Sequence, residues 1–333
     1  MRVAVIGAGA IGCVTGAMLS EKGHDVTLVG RPDMVSAVNN NGLVIEGASG
    51  TRTYNLTAGT SLDYEPAAAI FAVKTQDMER AVHGAHPYLK DSLIVTMQNG
   101  VMSDKIVADV SGSENIVSSV VMYGATYIEP GRVTYNFPGG LIIGRAFDSG
   151  SGRDIVNEAT ALLDGAFDVT VSDDIHGVHW TKLILNLNNS VACVLGMSLQ
   201  ETFEDQRLCR LGVTLMKEAY ETMEKAGIRL GSLPDLPLEK LKSLLGAPLE
   251  ISSGVYGNIM KGLSREPLPG SVLQSIRRGK ATEVDYLNGE IAVLGMKHRF
   301  PACINMKMVE LVKRVEECGQ FISREELLKE TCI

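Results

Sequence analysis

A glycine pattern near the start of the chain constrains its fold more than any other feature. Val3-Ala4-Val5-Ile6 is an apolar run that leads straight into Gly7-Ala8-Gly9-Ala10-Ile11-Gly12, and a helix-like stretch follows through Leu19. A G-x-G-x-x-G sequence between a strand and a helix is the setting in which a pyrophosphate meets bare backbone. Gly7 permits the tight turn, Gly9 lets the backbone approach the phosphates, and Gly12 lets helix and strand pack closely. The free N–H groups and the positive end of the new helix then face the anion. The whole turn, with Ala8, Ala10 and Ile11 between the glycines, is read as a dinucleotide cradle. The fold it implies is a Rossmann-type, doubly wound α/β sheet.

The next segments extend that sheet. Asp25-Val26-Thr27-Leu28-Val29 reads as the second strand and ends in Gly30-Arg31-Pro32. A carboxylate at this strand end receives the ribose hydroxyls of NAD, whereas an arginine pairs with the 2′-phosphate of NADP. Arg31 therefore favours NADP(H), with Asp33 just beyond as the rival contact. Two short runs around Gly47-Ala48-Ser49-Gly50 suggest a hairpin. Residues 68–73 and 93–97 are buried strands ending in Lys74-Thr75-Gln76 and Gln98-Asn99-Gly100. Ligands of open parallel sheets bind at such carboxyl ends. Lys74 is open to a substrate carboxylate or the nicotinamide ribose, and Asn99 to ribose, carboxamide or substrate. For both, a solvated lysine and a plain turn signal stay open as alternatives. Four short runs between 115 and 144, separated by Glu129-Pro130-Gly131 and Pro138-Gly139-Gly140, read as antiparallel strands added to the sheet. A helix near 154–163 and a strand near 168–171 close the domain, and the polar Ser172-Asp173-Asp174 marks its end.

From Ile175 the pattern turns helical. Residues 176–190 form one long, mostly apolar segment that predicts a buried helix. At about 100° per residue, Lys182, Asn186, Asn189 and Ser190 share a face that Asn188 does not. A lysine and amides on an apolar helix need partners in the protein or in a polar ligand. Lysine also serves as a general acid, with a pKa that burial moves readily. Helix-to-helix amide ties and a snorkelling lysine are the plainer alternative. His176 and His179 lack Asp, Glu or Cys at ligand spacing, so no metal site is expected. Further on, Ser271 follows Gly270, a basic cluster follows at Arg277, Arg278 and Lys280, and Glu283 opens a renewed helical pattern. The expected organisation is 1–172 as an NADP-binding domain and 173–333 as an all-helical substrate and catalytic domain.

The totals narrow the class. A formal net charge of −8 argues against bulk nucleic-acid binding. No apolar run is long enough to cross a bilayer. The first apolar stretch lacks a basic leader, so no signal peptide is expected. The six cysteines are scattered without a C-x-x-C, as befits reduced thiols of a cytoplasmic chain. The apolar helical half permits a homodimer.

Taken together, these stretches resemble the ketopantoate reductase family (2-dehydropantoate 2-reductases). The likeness runs through Gly7-x-Gly9-x-x-Gly12, Val73-Lys74, Gln98-Asn99-Gly100, Trp180-x-Lys182-x3-Asn186-x2-Asn189, and Ser271 with Thr282-Glu283-Val284-Asp285-Tyr286-Leu287-Asn288-Gly289. It implies reduction of the 2-oxo acid 2-dehydropantoate to pantoate with NADPH, a step of pantothenate and coenzyme A biosynthesis. It further implies Lys182 as proton donor to the ketone oxygen and Asn186 as a substrate-binding amide. A second amide follows one helical turn on, at Asn189 with Ser190 beside it. By the same resemblance Ser271 contacts the substrate carboxylate, and Glu283 orients substrate and lysine and counts among the cofactor contacts. Lys74 and Asn99 match cofactor-side and substrate-side residues. Ser190 stands where some members have a second asparagine, and Ser275 where an Asp is frequent. Another 2-oxo acid as substrate, and a non-catalytic NADP-binding sensor, are the other readings the sequence allows.

Overall fold

The first strand, β1 (Arg2–Ile6), is buried on both faces, and this decides the layering of everything built on it. Val3 and Val5 enter one apolar core while Ala4 and Ile6 enter another on the opposite side. A strand alternates its side chains between two faces, so two cores mean helices on both sides of the sheet. The computed structural model describes residues 1–48, 50–148, 153–234, 236–264 and 266–333. These fall into two compact units, Met1–His176 and Gly177–Ile333.

In chain order the other strands are β2 (Asp25–Val29), β3 (Leu43–Gly47), β4 (Arg52–Tyr54), β5 (Thr57–Gly59), β6 (Ala68–Phe71), β7 (Leu93–Thr96), β8 (Ile116–Val121), β9 (Gly124–Glu129), β10 (Arg132–Phe137), β11 (Leu141–Arg145) and β12 (Val169–Val171). Eight of them form one sheet in the order β12-β11-β8-β7-β6-β1-β2-β5. Pairing is parallel throughout except where β11 meets β8. The chain lays β2 on one side of β1 and later returns to lay β6 on the other. The order therefore reverses between β1 and β6, and a crevice opens at their carboxyl ends.

The segment 115–144 departs from the sequence expectation. Only β8 and β11 join the large sheet, and β8 does so parallel to β7. The hairpin of β9 and β10 leaves it and builds a second sheet of order β4-β3-β10-β9, in which β10 pairs with β3 in parallel. The patterning correctly marks short strands, but the free edge that β10 finds lies on β3, far back in the chain. The β3–β4 pair is antiparallel, as a hairpin requires. Ser49, in the turn expected between them, lies outside the described residues.

The second unit is helical. Its long helix Gln206–Lys225 is flanked by Leu249–Lys261, Asn288–Lys297 and Cys303–Cys318. The single helix expected over 176–190 is two, Ile175–Asn186 and Asn189–Leu195, broken at Leu187–Asn188. Ser190 N donates to the Leu187 carbonyl, an i−3 step that tightens the turn, and its hydroxyl donates to the same oxygen at 2.6 Å. Asn188 is drawn inward, donating from Nδ2 to Tyr256 Oη at 2.8 Å. The Ser190 hydroxyl on a carbonyl three residues back is the local bond that competes with helix continuation. No described helix is long and apolar enough to cross a membrane.

Candidate functional site

In the first unit the glycine turn occupies the β1/β6 crevice. Gly7 has φ +115°, and a Cβ there would lie 2.4 Å from Val73 N and 2.6 Å from the Ala72 carbonyl carbon. The turn is thus pressed against the end of β6, where Lys74 follows. Gly7 N and Ala8 N both donate to the Val29 carbonyl, tying the turn to the end of β2 as well. A Cβ on Gly9, by contrast, would meet no heavy atom within 4 Å. Gly9 is also the N-cap of the helix Ala10–Glu21, with no side-chain cap and no acidic residue in the first turn. Among the described residues its leading N–H groups have no side-chain acceptor. That combination fits the pyrophosphate of a dinucleotide.

Arg31 stands at the far side of this turn. Gly30 packs on Ala8, its built Cβ falling 2.7 Å from Ala8 Cβ. Arg31 follows as the N-cap of the helix Pro32–Asn41. It is exposed, and its guanidinium makes no hydrogen bond or ion pair among the described residues. Asp33 lies in the first turn of that helix and is exposed as well.

Lys74 and Asn99 are held together by residues to which the sequence reading assigned no role. Thr75 Oγ1 donates to the Asn99 carbonyl at 3.3 Å, linking the ends of β6 and β7. Gln98 is buried, and its Nε2 donates to the carbonyls of Phe71 (2.8 Å) and Val73 (3.0 Å). Asp104 is buried too, accepting from Thr96 Oγ1 at 2.5 Å and Ser118 Oγ at 2.6 Å. It fastens the helix Ser103–Ser111 to β7 and β8, which frames the Gln98-Asn99-Gly100 loop. The signal was present in Gln98, a polar residue directly after a buried strand, but its partners are two carbonyls distant in sequence. Replacing Gln98 by Leu is expected to cost about 1–3 kcal/mol, because the Val73 carbonyl loses its side-chain donor and the buried Phe71 carbonyl keeps only Met97 N. Urea unfolding monitored by circular dichroism measures this, and an unchanged midpoint would remove the tie.

In the second unit, Lys182 and Asn186 lie one turn apart on the helix Ile175–Asn186, and both are half-buried. Burial holds the Lys182 ammonium below the usual lysine pKa. Among the described residues it makes no hydrogen bond or ion pair, and Glu283 is not paired with it. Asn189 begins the next helix. Gly270 is packed on its amide, a built Cβ lying 2.5 Å from Asn189 Oδ1, so Ser271 is held beside Asn189. Ser190 is fully buried and its hydroxyl is spent on Leu187, while Ser275 is buried with its hydroxyl on the Ser271 carbonyl. Glu283 is half-buried just before the short turn Val284–Tyr286. That turn is anchored to the helix Cys303–Cys318 by Thr282 N donating to Glu316 and by Asp285 pairing with Lys313 at 2.7 Å. No group of His, Cys, Asp and Glu that could hold a metal occurs among the described residues.

The likeness of this chain to known proteins is extensive. The family model "Ketopantoate reductase PanE/ApbA" matches residues 3–147, and "Ketopantoate reductase PanE/ApbA C terminal" matches 174–316. The 2-dehydropantoate 2-reductase of Pyrococcus horikoshii is 27% identical over 321 residues, which is 96% of this chain and 99% of the relative. That of Pyrococcus abyssi is 28% identical over 318 residues, covering 95% and 98%. Among solved structures, the PanE/ApbA family ketopantoate reductase from Ralstonia eutropha JMP134 is 25% identical, with a TM-score of 0.79 over 95% of this chain and 99% of that one. A D-mandelate dehydrogenase, solved with NADH and anilino(oxo)acetate, is 21% identical with a TM-score of 0.82 over 95% and 99%.

Proposed function

Because the chain belongs to the ketopantoate reductase family PanE/ApbA through both its N-terminal and its C-terminal parts, we propose that it reduces 2-dehydropantoate to pantoate with NADPH, a step in pantothenate and coenzyme A biosynthesis. One observation carries the reading most directly. Lys182 is a half-buried cation without a protein counter-ion among the described residues, set one turn from Asn186 in a chain of an oxidoreductase family. Keeping an ammonium partly dehydrated and unpaired costs stability, which a bound anion or developing alkoxide offsets.

The roles divide between 1–172, assigned to NADP(H), and 173–333, assigned to substrate and proton transfer. Gly7, Ala8, Gly9, Ala10, Ile11 and Gly12 cradle the pyrophosphate. Arg31 pairs with the 2′-phosphate, while Lys74, Asn99 and Glu283 serve the nicotinamide side. Reduced nicotinamide, when bound, supplies the hydride to the ketone carbon. Lys182 holds a proton at Nζ and delivers it to the ketone oxygen, so that no free alkoxide is left in a dry site. Asn99, Asn186 and Asn189 hold the substrate's oxygens, and Ser271 donates to its carboxylate. The buried, internally bonded hydroxyl of Ser190 supports Asn189 over Ser190 as the second amide contact. Glu283 orients the substrate and the lysine. A cytoplasmic setting belongs to the same reading.

The cofactor assignment is tested at Arg31. Arg31→Ala is expected to raise the Kd for NADPH by about tenfold or more while leaving NADH little changed, since only the 2′-phosphate distinguishes them. Equal small effects on both cofactors would remove that contact. The fold shared with the NADH-bound D-mandelate dehydrogenase supports a second reading, in which another 2-oxo acid is reduced and NADH suffices. Cofactor oxidation measured with 2-dehydropantoate beside pyruvate, 2-oxoisovalerate and 2-oxopantolactone, with each cofactor, separates the two. NADPH binding without turnover of any ketone would favour a sensor.

A further inference from the structure

Glu283 lies in no helix or strand that could hold it. It stands just before the short turn Val284–Tyr286, and its carbonyl accepts from Tyr286 N at 3.0 Å. Such a turn fixes its own shape but not its place in the molecule. That place is set by the helix Cys303–Cys318, along which residues 282–288 run antiparallel. Thr282 meets Glu316, Asp285 meets Lys313, and Asn288 meets Asn305. Asn305 and Glu316 are eleven residues apart. That separation is about three helical turns, so the two share a face with about 16 Å of axis between them.

The Asn288 end is built into the core, where Asn288 and Asn305 are both fully buried. The helix Cys303–Cys318 has no side-chain cap and no acidic residue in its first turn. Glu218, from the helix Gln206–Lys225, supplies the missing acceptor. Its carboxylate accepts from Ile304 N at 3.0 Å, Asn305 N at 2.9 Å and Asn305 Nδ2 at 2.8 Å. Asn305 Nδ2 also donates to the Leu215 carbonyl at 3.2 Å. A carboxylate and a carbonyl only accept, so the Asn305 amide has one permitted orientation. Its Oδ1 is turned to Asn288 Nδ2, which donates at 3.0 Å. Position 288 is thereby pinned through two helices.

The Thr282 end rests on much less. Thr282 is buried, and its N–H has one partner among the described residues, Glu316 Oε2 at 3.0 Å. Its hydroxyl oxygen is buried without a partner. The Asp285–Lys313 pair is half exposed on both sides, and such pairs contribute little. With one end pinned and the other resting on a single bond, the bond at Thr282 N sets the direction in which the next residue leaves. That residue is Glu283.

We propose that Glu316 is a positioning residue for Glu283, acting through the Thr282 N–H; this rests on the reading of Glu283 as a contact of substrate and cofactor. Glu316→Ala in the full-length protein is expected to lower kcat/KM for 2-dehydropantoate about tenfold, chiefly through KM. Its thermal unfolding should match the wild type, because Glu316 is exposed and the Asn288 end stays pinned. Glu316→Gln keeps an oxygen that accepts from Thr282 N and should recover kcat/KM to within about threefold of the wild type. In a Glu283→Ala background Glu316→Ala should cost nothing further, whereas a general loosening would lower both backgrounds alike. The Kd for NADPH, titrated by fluorescence, should follow the same order, and it is read even where 2-dehydropantoate is not turned over. An impaired Glu283→Ala beside a Glu316→Ala of wild-type kcat/KM and Kd overturns the proposal and leaves Glu283 its role. An equal loss in both backgrounds overturns it too, as does a loss that Glu316→Gln fails to recover. A Glu283→Ala variant equal to the wild type in kcat/KM and Kd removes Glu283 from the site, and the proposal with it.

Discussion

Lys182→Ala is expected to lower kcat by about 10²-fold or more, the scale on which a positioned proton donor contributes. Cofactor affinity should stay near that of the wild type, since the cradle lies in the other unit's glycine turn. The pH dependence carries the sharper signature. A general acid works only while protonated, so kcat/KM should fall as pH rises through the Lys182 pKa. Burial places that fall below the ordinary lysine value of 10.5. A near-normal kcat, or an alkaline limb that persists in Lys182→Ala, would remove the lysine from the role.

The same group makes a stability prediction of opposite sense. Its folded pKa is lower than its unfolded one, so between the two values the folded chain binds fewer protons and stability rises with pH. Below the folded pKa the full cost of burying the charge is present. Lys182→Met should therefore be more stable than the wild type at neutral pH, and the gap should close as pH approaches 10.5. Gain of stability with loss of activity is what a functional, unpaired cation produces. Thermal unfolding of both proteins across alkaline pH measures it.

The second large effect concerns two glycines separated by one residue. Gly7→Ala places a methyl against the backbone of Ala72 and Val73, which cannot swing aside, and it does so at φ +115°. The unfavourable dihedral costs about 1–3 kcal/mol and the overpacking about as much again. The first unit should lose stability accordingly, and NADPH binding with it. Gly9→Ala is its counterpart. At φ −88°, with no heavy atom near the new methyl, stability should change by less than about 0.5 kcal/mol. On the proposed reading the methyl would fill space meant for the pyrophosphate, so the Kd for NADPH should rise about tenfold or more. Urea midpoints and fluorescence titration of NADPH report the two effects separately. Undiminished affinity in Gly9→Ala would leave the turn a packing device and no more.

What could be read from the sequence follows from how local each cause is. The glycine turn was legible because its constraints act between neighbours in the chain. A residue with φ above zero and a helix start without a side-chain cap leave marks within a few positions. The doubly wound sheet followed, since β1, β6 and β7 are continuous apolar runs, as strands buried on both faces must be. Two features were not legible. The departure of β9 and β10 depends on the edge offered by β3, and nothing between 115 and 144 records it. The break at Leu187–Asn188 goes with Ser190 bonding back to the Leu187 carbonyl, a local choice that helical periodicity does not record. Among the candidate site residues, the sequence pointed to Asn189 and Ser190 equally. The packing of Gly270 on the Asn189 amide and the bond of the Ser190 hydroxyl to Leu187 are tertiary and local details that helical spacing does not record.

The order of strands also sets a timetable for synthesis. β1 is made first and sits between β2, made soon after, and β6, made only once some seventy residues have been joined. The smaller sheet waits longer, because β3 must hold its edge open until β10 emerges to register Arg132 against Val44. Loop closure over such separations is slow compared with local pairing. A nascent chain halted before Phe137 would therefore expose the edge of β3, an unpaired row of N–H and C=O groups open to any neighbouring strand. The glycine turn can be shaped early, whereas the first unit becomes safe from mispairing only when β10 has arrived.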